Sequence, residues 1–202
     1  MARFLEIAVK KILMEPLLDR MDSRENSILD IQGSHKGTAE SPLRFHIMRE
    51  GLKRGRFDIS RLKSPLMMRS LLGIFKSIRD LKKNKPQHKT EITANELKEI
   101  EDYLYSLGIS SIGYTKVPAR WVFKDKAVMY ANAIVTSMEM DEAKISSAPS
   151  PAAGKAAHEI YCYQGLAMIK GAEFLRGRGF AAHAGHPLTG TVGGAGSNWS
   201  ER

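Results

Sequence analysis

His183 and His186 stand three residues apart in "GFAAHAGHPLTG", around a turn of small residues. A neutral imidazole can ligate a metal or exchange a proton near neutral pH. Gly185 and Gly190 let a bound group approach the backbone closely, and Pro187 lies between them. These five residues are the candidate cofactor contacts, with an ordinary structural turn as the competing reading. Two imidazoles do not make a zinc centre, which needs a third and a fourth ligand, so no metal site is expected. The glycine-rich "TGTVGGAGS" that follows lacks the Gly-Lys-Ser/Thr ending of a phosphate loop and has no helix after it to hold an anion. Residues 191–202 therefore read as a flexible tail. No serine or cysteine occupies a recognisable nucleophile elbow, and no carboxylate pair is spaced for acid–base work, so no catalytic residue is assigned. The single cysteine, Cys162 in "HEIYCYQGLAMI", reads as a small buried hydrophobe. One thiol excludes an internal disulfide and any iron–sulfur cluster held by this chain alone.

The elements that must position these residues follow from the apolar spacing. Residues 1–15 carry Leu5, Ala8, Val9 and Ile12 on one helical face, and Pro16 ends it. Residues 21–42 are rich in Ser, Gly and Asp and read as a linker. Ser64-Pro65 is a helix start, after which Leu71, Leu72, Phe75, Ile78 and Leu81 recur at helical spacing until Pro86. Thr93 and Glu96 form a capping box for a helix with Leu97, Ile100, Leu104 and Leu107 on its apolar face, stopped by Gly108. Residues 110–117 and 127–140 read as strands, the second as a buried strand because its apolar run is nearly continuous. A long helix is predicted from Ser150-Pro151 to Gly177 or Gly179, and "FAAHAG" as a short strand. The order helix, strand, strand, helix, strand implies a two-layer α/β or α+β domain over 91–190, preceded by basic amphipathic helices over 1–90.

The 202 residues are 43% hydrophobic and 26% charged, which suits a packed core and argues against global disorder. The net charge of +9 is concentrated. Between Arg44 and Lys89, fourteen Lys or Arg face only Glu50, Asp58 and Asp80. The aromatics there are Phe45, Phe57 and Phe75, too few to favour single-stranded nucleic acid. An apolar face beside lysines fits an acidic membrane surface or acidic partner better, with a solvated basic face as the plain alternative. No apolar run approaches the roughly 20 residues that span a bilayer. The start lacks a signal peptide's apolar core, so a cytoplasmic and at most membrane-peripheral location is expected.

"LGISSIGYTKVPARWVFKDKAVMYANAIVTSMEMD" and "FLRGRGFAAHAGHPLTG" resemble the amino-terminal half of ferredoxin-like (4Fe-4S) proteins related to reductive dehalogenases and, more distantly, epoxyqueuosine reductase. The "VPARWVFKDKAV" and "RGFAAHAGHPLTG" stretches are the most specific parts. The resemblance implies a nitroreductase-like α/β domain that binds a corrinoid, with cobalamin as the cofactor. In that family a ferredoxin module with two 4Fe–4S clusters follows and delivers electrons. Here "TVGGAGSNWSER" stands where the family pattern continues, and no cysteine follows. The expectation is therefore an incomplete redox protein that relies on a cluster-bearing partner. The rival expectation is a non-catalytic docking protein that uses residues 44–89.

Overall fold

The computed structural model describes residues 64–124 and 126–185, preceded by residues 16, 19, 20, 23, 26–31 and 34–38. The predicted helix over 1–15, the basic stretch 44–63 and the tail 191–202 lie outside the described residues. In chain order the elements are β1 (His35–Lys36), α1 (Pro65–Arg79), a 3-10 turn (Asp80–Lys83), α2 (Ala94–Ser106), β2 (Ser111–Lys116), β3 (Ala127–Val128), β4 (Asn132–Ser137), α3 (Glu142–Ile145) and α4 (Pro151–Gly177). At a coarse level the fold is mixed α/β, with helices and two small antiparallel strand pairs. The chain forms two compact units, one holding the described residues up to 64 with 118–129, the other residues 65–117 and 130–185. Helix α1, from the basic amino-terminal segment, thus belongs to the same unit as α2 and α4.

The smaller unit pairs β1 with β3, His35 opposite Val128 and Lys36 opposite Ala127. Gly37 continues the pairing by donating to the Lys126 carbonyl at 3.0 Å. A Cβ at Gly37 would collide with the carbonyls of Val122 and Phe123, so only glycine fits this approach. The expected linker 21–42 therefore contains a strand, too short at two residues to leave a period in the sequence.

In the larger unit, α1 begins at Pro65 and buries Met67, Leu71, Ile74 and Ile78, spaced by three and four. Ser77 lies on the same buried face and donates to the Ile74 carbonyl at 2.9 Å, which satisfies its hydroxyl. Helix α2 carries the complete capping box. Thr93 accepts from the Glu96 amide, and the Glu96 carboxylate accepts from the Thr93 amide at 3.0 Å. Gly108, at φ 89, takes the left-handed turn that ends it. Helix α4 starts from Ser150, whose hydroxyl accepts from the Ala153 amide at 3.1 Å.

Strands β2 and β4 form a hairpin, with Ser111 opposite Ser137 and Lys116 opposite Asn132. Ile112, Ile134 and Met138 pack on a core of Ile100, Leu104, Ile109 and Ala167 from α2, the loop after it and α4. The expected buried strand over 127–140 is corrected on two points. It breaks at 129–131 into β3 and β4, which belong to different units. Strand β4 is also covered on one face only, so Val135 is 41% exposed despite the apolar run. A two-stranded hairpin resting on helices has no second layer to cover its other face. The expected "FAAHAG" strand reduces to one parallel bridge between Phe180 and Lys89.

Glycines set the helix spacing. A Cβ on Gly73 of α1 would meet the Ile169 Cδ1 at 2.7 Å, and one on Gly171 of α4 would meet the Leu104 Cδ2 at 2.9 Å. Lys76 and Glu173 close the α1–α4 crossing with an ion pair. Gly73→Leu should therefore destabilise the protein by about 1–3 kcal/mol through overpacking. Gly154, in the exposed first turn of α4 with open space around it, should behave oppositely, with Gly154→Ala gaining about 0.5–1 kcal/mol. Urea denaturation of both variants measures this, and wild-type stability in Gly73→Leu would contradict the close α1–α4 packing.

Candidate functional site

The segment after α4 is held by side chains that come from elsewhere in the larger unit. Asn84, just past the 3-10 turn, clamps Ala182 in both directions. Its Nδ2 donates to the Ala182 carbonyl at 3.2 Å, and its Oδ1 accepts from the Ala182 amide at 3.1 Å. The same Nδ2 donates to the Tyr130 hydroxyl at 2.9 Å. Arg176, in the last turn of α4, donates from Nη1 to that Ala182 carbonyl at 2.9 Å. A neighbouring strand would satisfy the same backbone groups. Here an amide and a guanidinium do it, which holds the segment in place without a sheet. Lys89 adds a backbone bond to the Gly179 carbonyl at 2.9 Å, and Ala182 and Ala184 bury their methyls against Ile169 and Ala172.

Behind the clamp lies Asp80, a fully buried carboxylate. Arg79 donates to its Oδ1 at 3.3 Å, Lys83 Nζ lies 2.9 Å from Oδ2, and Arg176 Nη2 lies 4.0 Å from Oδ2. Burial pushes the Asp80 pKa up, but the hydrogen bonds and charges of Lys83 and Arg79 outweigh it and hold the group below its ordinary value. Asp80 is therefore ionised at neutral pH and holds no proton to give. Across 4.0 Å it faces the guanidinium that holds Ala182 and gives that buried charge a counter-ion.

His183 is half-buried next to this cluster. Loss of solvent, reinforced by the Arg176 charge, lowers its pKa to about 4. Its imidazole is thus uncharged at neutral pH and makes no hydrogen bond with another described residue. Tyr130 is pushed the other way, its pKa raised by burial against the opposing influence of Arg176 and the Asn84 hydrogen bond. The His88 ring meets the Tyr130 ring edge-on, with centroids 6.2 Å apart. The arrangement presents a neutral imidazole, a protonated phenol and a fixed guanidinium. Those groups can bind and orient a polar or metal-containing ligand. Cys162 is fully buried within α4, and burial raises its pKa, so the thiol is structural.

Of the residues proposed from sequence, the structure places His183 at the clamp and Gly185 exposed two residues beyond it, with no atom near its Cβ position. His186, Pro187 and Gly190 lie outside the described residues. Asn84, Asp80, Tyr130 and Arg176 were not singled out by the sequence reading. Asp80 did leave a trace there, as the sole acid among the basic residues from Arg61 to Lys89. Asn84 and Tyr130 left none, because their partners are distant in the chain. Among the described residues no group of three or more His, Cys, Asp or Glu could hold a metal ion, and no helix is long and apolar enough to cross a membrane. No family model, no curated protein and no solved structure matches the chain.

Two measurements check the clamp. Asn84→Ala should cost about 1–3 kcal/mol by leaving the Ala182 amide unpaired, the carbonyl keeping its bond from Arg176, and should speed hydrogen exchange at the Ala182 amide; unchanged exchange there would refute the tether. For His183 the folded pKa lies below the ordinary 6.5, so the unfolded chain takes up the proton first. Its contribution to stability is present above pH 6.5 and is lost as pH falls towards 4. Urea titrations across that window should slope in the wild type and flatten in His183→Gln, whereas parallel curves would remove His183 as the cause. Glu96, Asp80 and Asp141, all with lowered values, begin to act only at the acid end of this window and continue below it.

Proposed function

We propose that the chain is a redox-associated protein of the reductive-dehalogenase-like iron–sulfur/corrinoid family, with a nitroreductase-like α/β domain whose 180–190 segment contacts cobalamin. The observation that carries the reading is the clamped, uncharged His183, which falls inside "RGFAAHAGHPLTG", one of the two stretches that carry the resemblance. An imidazole that stays neutral keeps a nitrogen lone pair available at physiological pH, as a ligand to a metal or an acceptor from a propionamide requires. The donor set fits a corrinoid to that extent. His183 would hold the group from the clamped side, with Gly185, His186, Pro187 and Gly190 as the adjoining contacts.

Cobalamin, when bound, supplies a metal-centred carrier of electrons to a substrate. The chain's own residues position it. Asn84 and Arg176 fix the backbone at Ala182, so the His183 ring is presented from a braced segment and pays less conformational entropy on binding. Asp80 keeps Arg176 in place. Electrons would come from iron–sulfur clusters held outside these residues, since a single buried cysteine cannot hold one.

The experiment is a titration of the purified chain with cobalamin, followed by visible absorption. Saturable binding with a shifted spectrum is expected, weakened at least about tenfold in His183→Ala if the imidazole contributes a ligand-class interaction. Binding that does not saturate, or that His183→Ala leaves unaltered with the same spectrum, would refute the assignment.

A further inference from the structure

The outer face of α1 is neither apolar nor simply basic; it interleaves the two. Met68 and Leu72 are 45% and 63% exposed. They alternate along one stripe with Arg69, Lys76 and Arg79, spaced by three and four and opposite the buried face of Met67, Leu71, Ile74 and Ile78. The 3-10 turn extends the basic character with Lys82 and Lys83. From Pro65 to Lys85 the only acid is Asp80, and it is buried, so the segment itself offers no exposed carboxylate, and of the stripe's cations Lys76 alone is balanced from another helix, by Glu173. Lys76 is turned to Glu173 of α4; Arg79 and Lys83 stay more than half exposed while contacting Asp80. Immediately before, residues 44–63 add seven Lys or Arg against two acids.

We infer that this face of α1 docks on an anionic lipid bilayer surface, with Met68 and Leu72 seated among the acyl chains and Arg69, Arg79 and Lys82 at the headgroup phosphates. The inference is independent of the corrinoid reading. Charge complementarity selects an anionic surface, and the large apolar side chains select a lipid one. A nucleic-acid backbone rewards the cations but leaves Leu72 in water, whereas the interface of a bilayer takes both. The aliphatic stems of Arg and Lys lie along the apolar boundary with their charges in the headgroups, so one convex helix face suffices without a groove.

The test is sedimentation of the full chain with vesicles, either pure phosphatidylcholine or with about a third phosphatidylglycerol. Binding is expected to the anionic vesicles only, and to fall as salt rises. Because 44–63 is itself basic, the variants carry the decision. Arg69→Glu with Lys82→Glu should lower partitioning about fivefold or more for each cation lost, and Leu72→Ser about tenfold. All three positions are exposed, so thermal unfolding should match wild type within about 0.5 kcal/mol. Equal binding to neutral vesicles, or binding unmoved by the variants, would overturn the proposal. Loss with the charge reversals but not with Leu72→Ser would also overturn it, and would point to an acidic protein or nucleic acid as the polyanion.

Discussion

A carboxylate taken out of water must be given cations, and Asp80 imposes that demand on the larger unit. It is fully buried at the end of α1, where the helix dipole offers it nothing. Arg79 and Lys83 answer locally, from one residue before it and three after. Arg176 answers from the far end of α4. Once Arg176 is committed to this position, its second nitrogen is aimed at the Ala182 carbonyl, and the segment that carries His183 follows. The chain of consequence runs from one buried charge to the protonation state of an imidazole, since the same guanidinium helps depress His183.

Helix α4 is the member through which these effects are transmitted. Its 27 residues pack on α1 at one face and on α2 and the hairpin at another. The crossings are close because Gly73 and Gly171 stand where the neighbouring side chains come nearest. Close crossings bring backbone dipoles and small side chains together at high density and hold the helix axes rigidly. A rigid α4 fixes Arg176 relative to Asp80 and Asn84, which a three-way arrangement of polar side chains needs if each hydrogen bond is to keep its geometry. Gln164 adds a bond from the middle of the helix to the Thr136 carbonyl of the hairpin at 2.8 Å, so α4 braces β4 as well.

Charge is sorted by this packing. The acid of the 65–85 stretch is turned inward and its cations outward. Inside, the Asp80 carboxylate is shared by Arg79, Lys83 and the buried Arg176, and the outer face of α1 keeps an excess of positive charge. Arg79 belongs to both, holding Asp80 with its Nε while its side chain stays mostly exposed on the outer face.

The elements whose signals are local were legible in the sequence. The Thr93–Glu96 capping box, the Ser150 cap before Pro151 and the glycine turn at Gly108 each act within four residues, so their helices fall where the pattern puts them. The apolar spacing of 65–81 likewise marks the buried face of α1. His183 was singled out by its type and its neighbours alone. What the sequence did not disclose depends on partners far along the chain. Asn84 reaches Ala182 across 98 positions and Tyr130 across 46, and no period or motif marks such a pairing. The apolar run of 127–140 could not reveal that it would be divided between two units, or that β4 would have cover on one side only. Local sequence determined which segments coil and which faces are apolar, because capping and periodicity are properties of neighbours. Only the tertiary structure decided which polar groups met behind α4, because that depends on where the packed helices end.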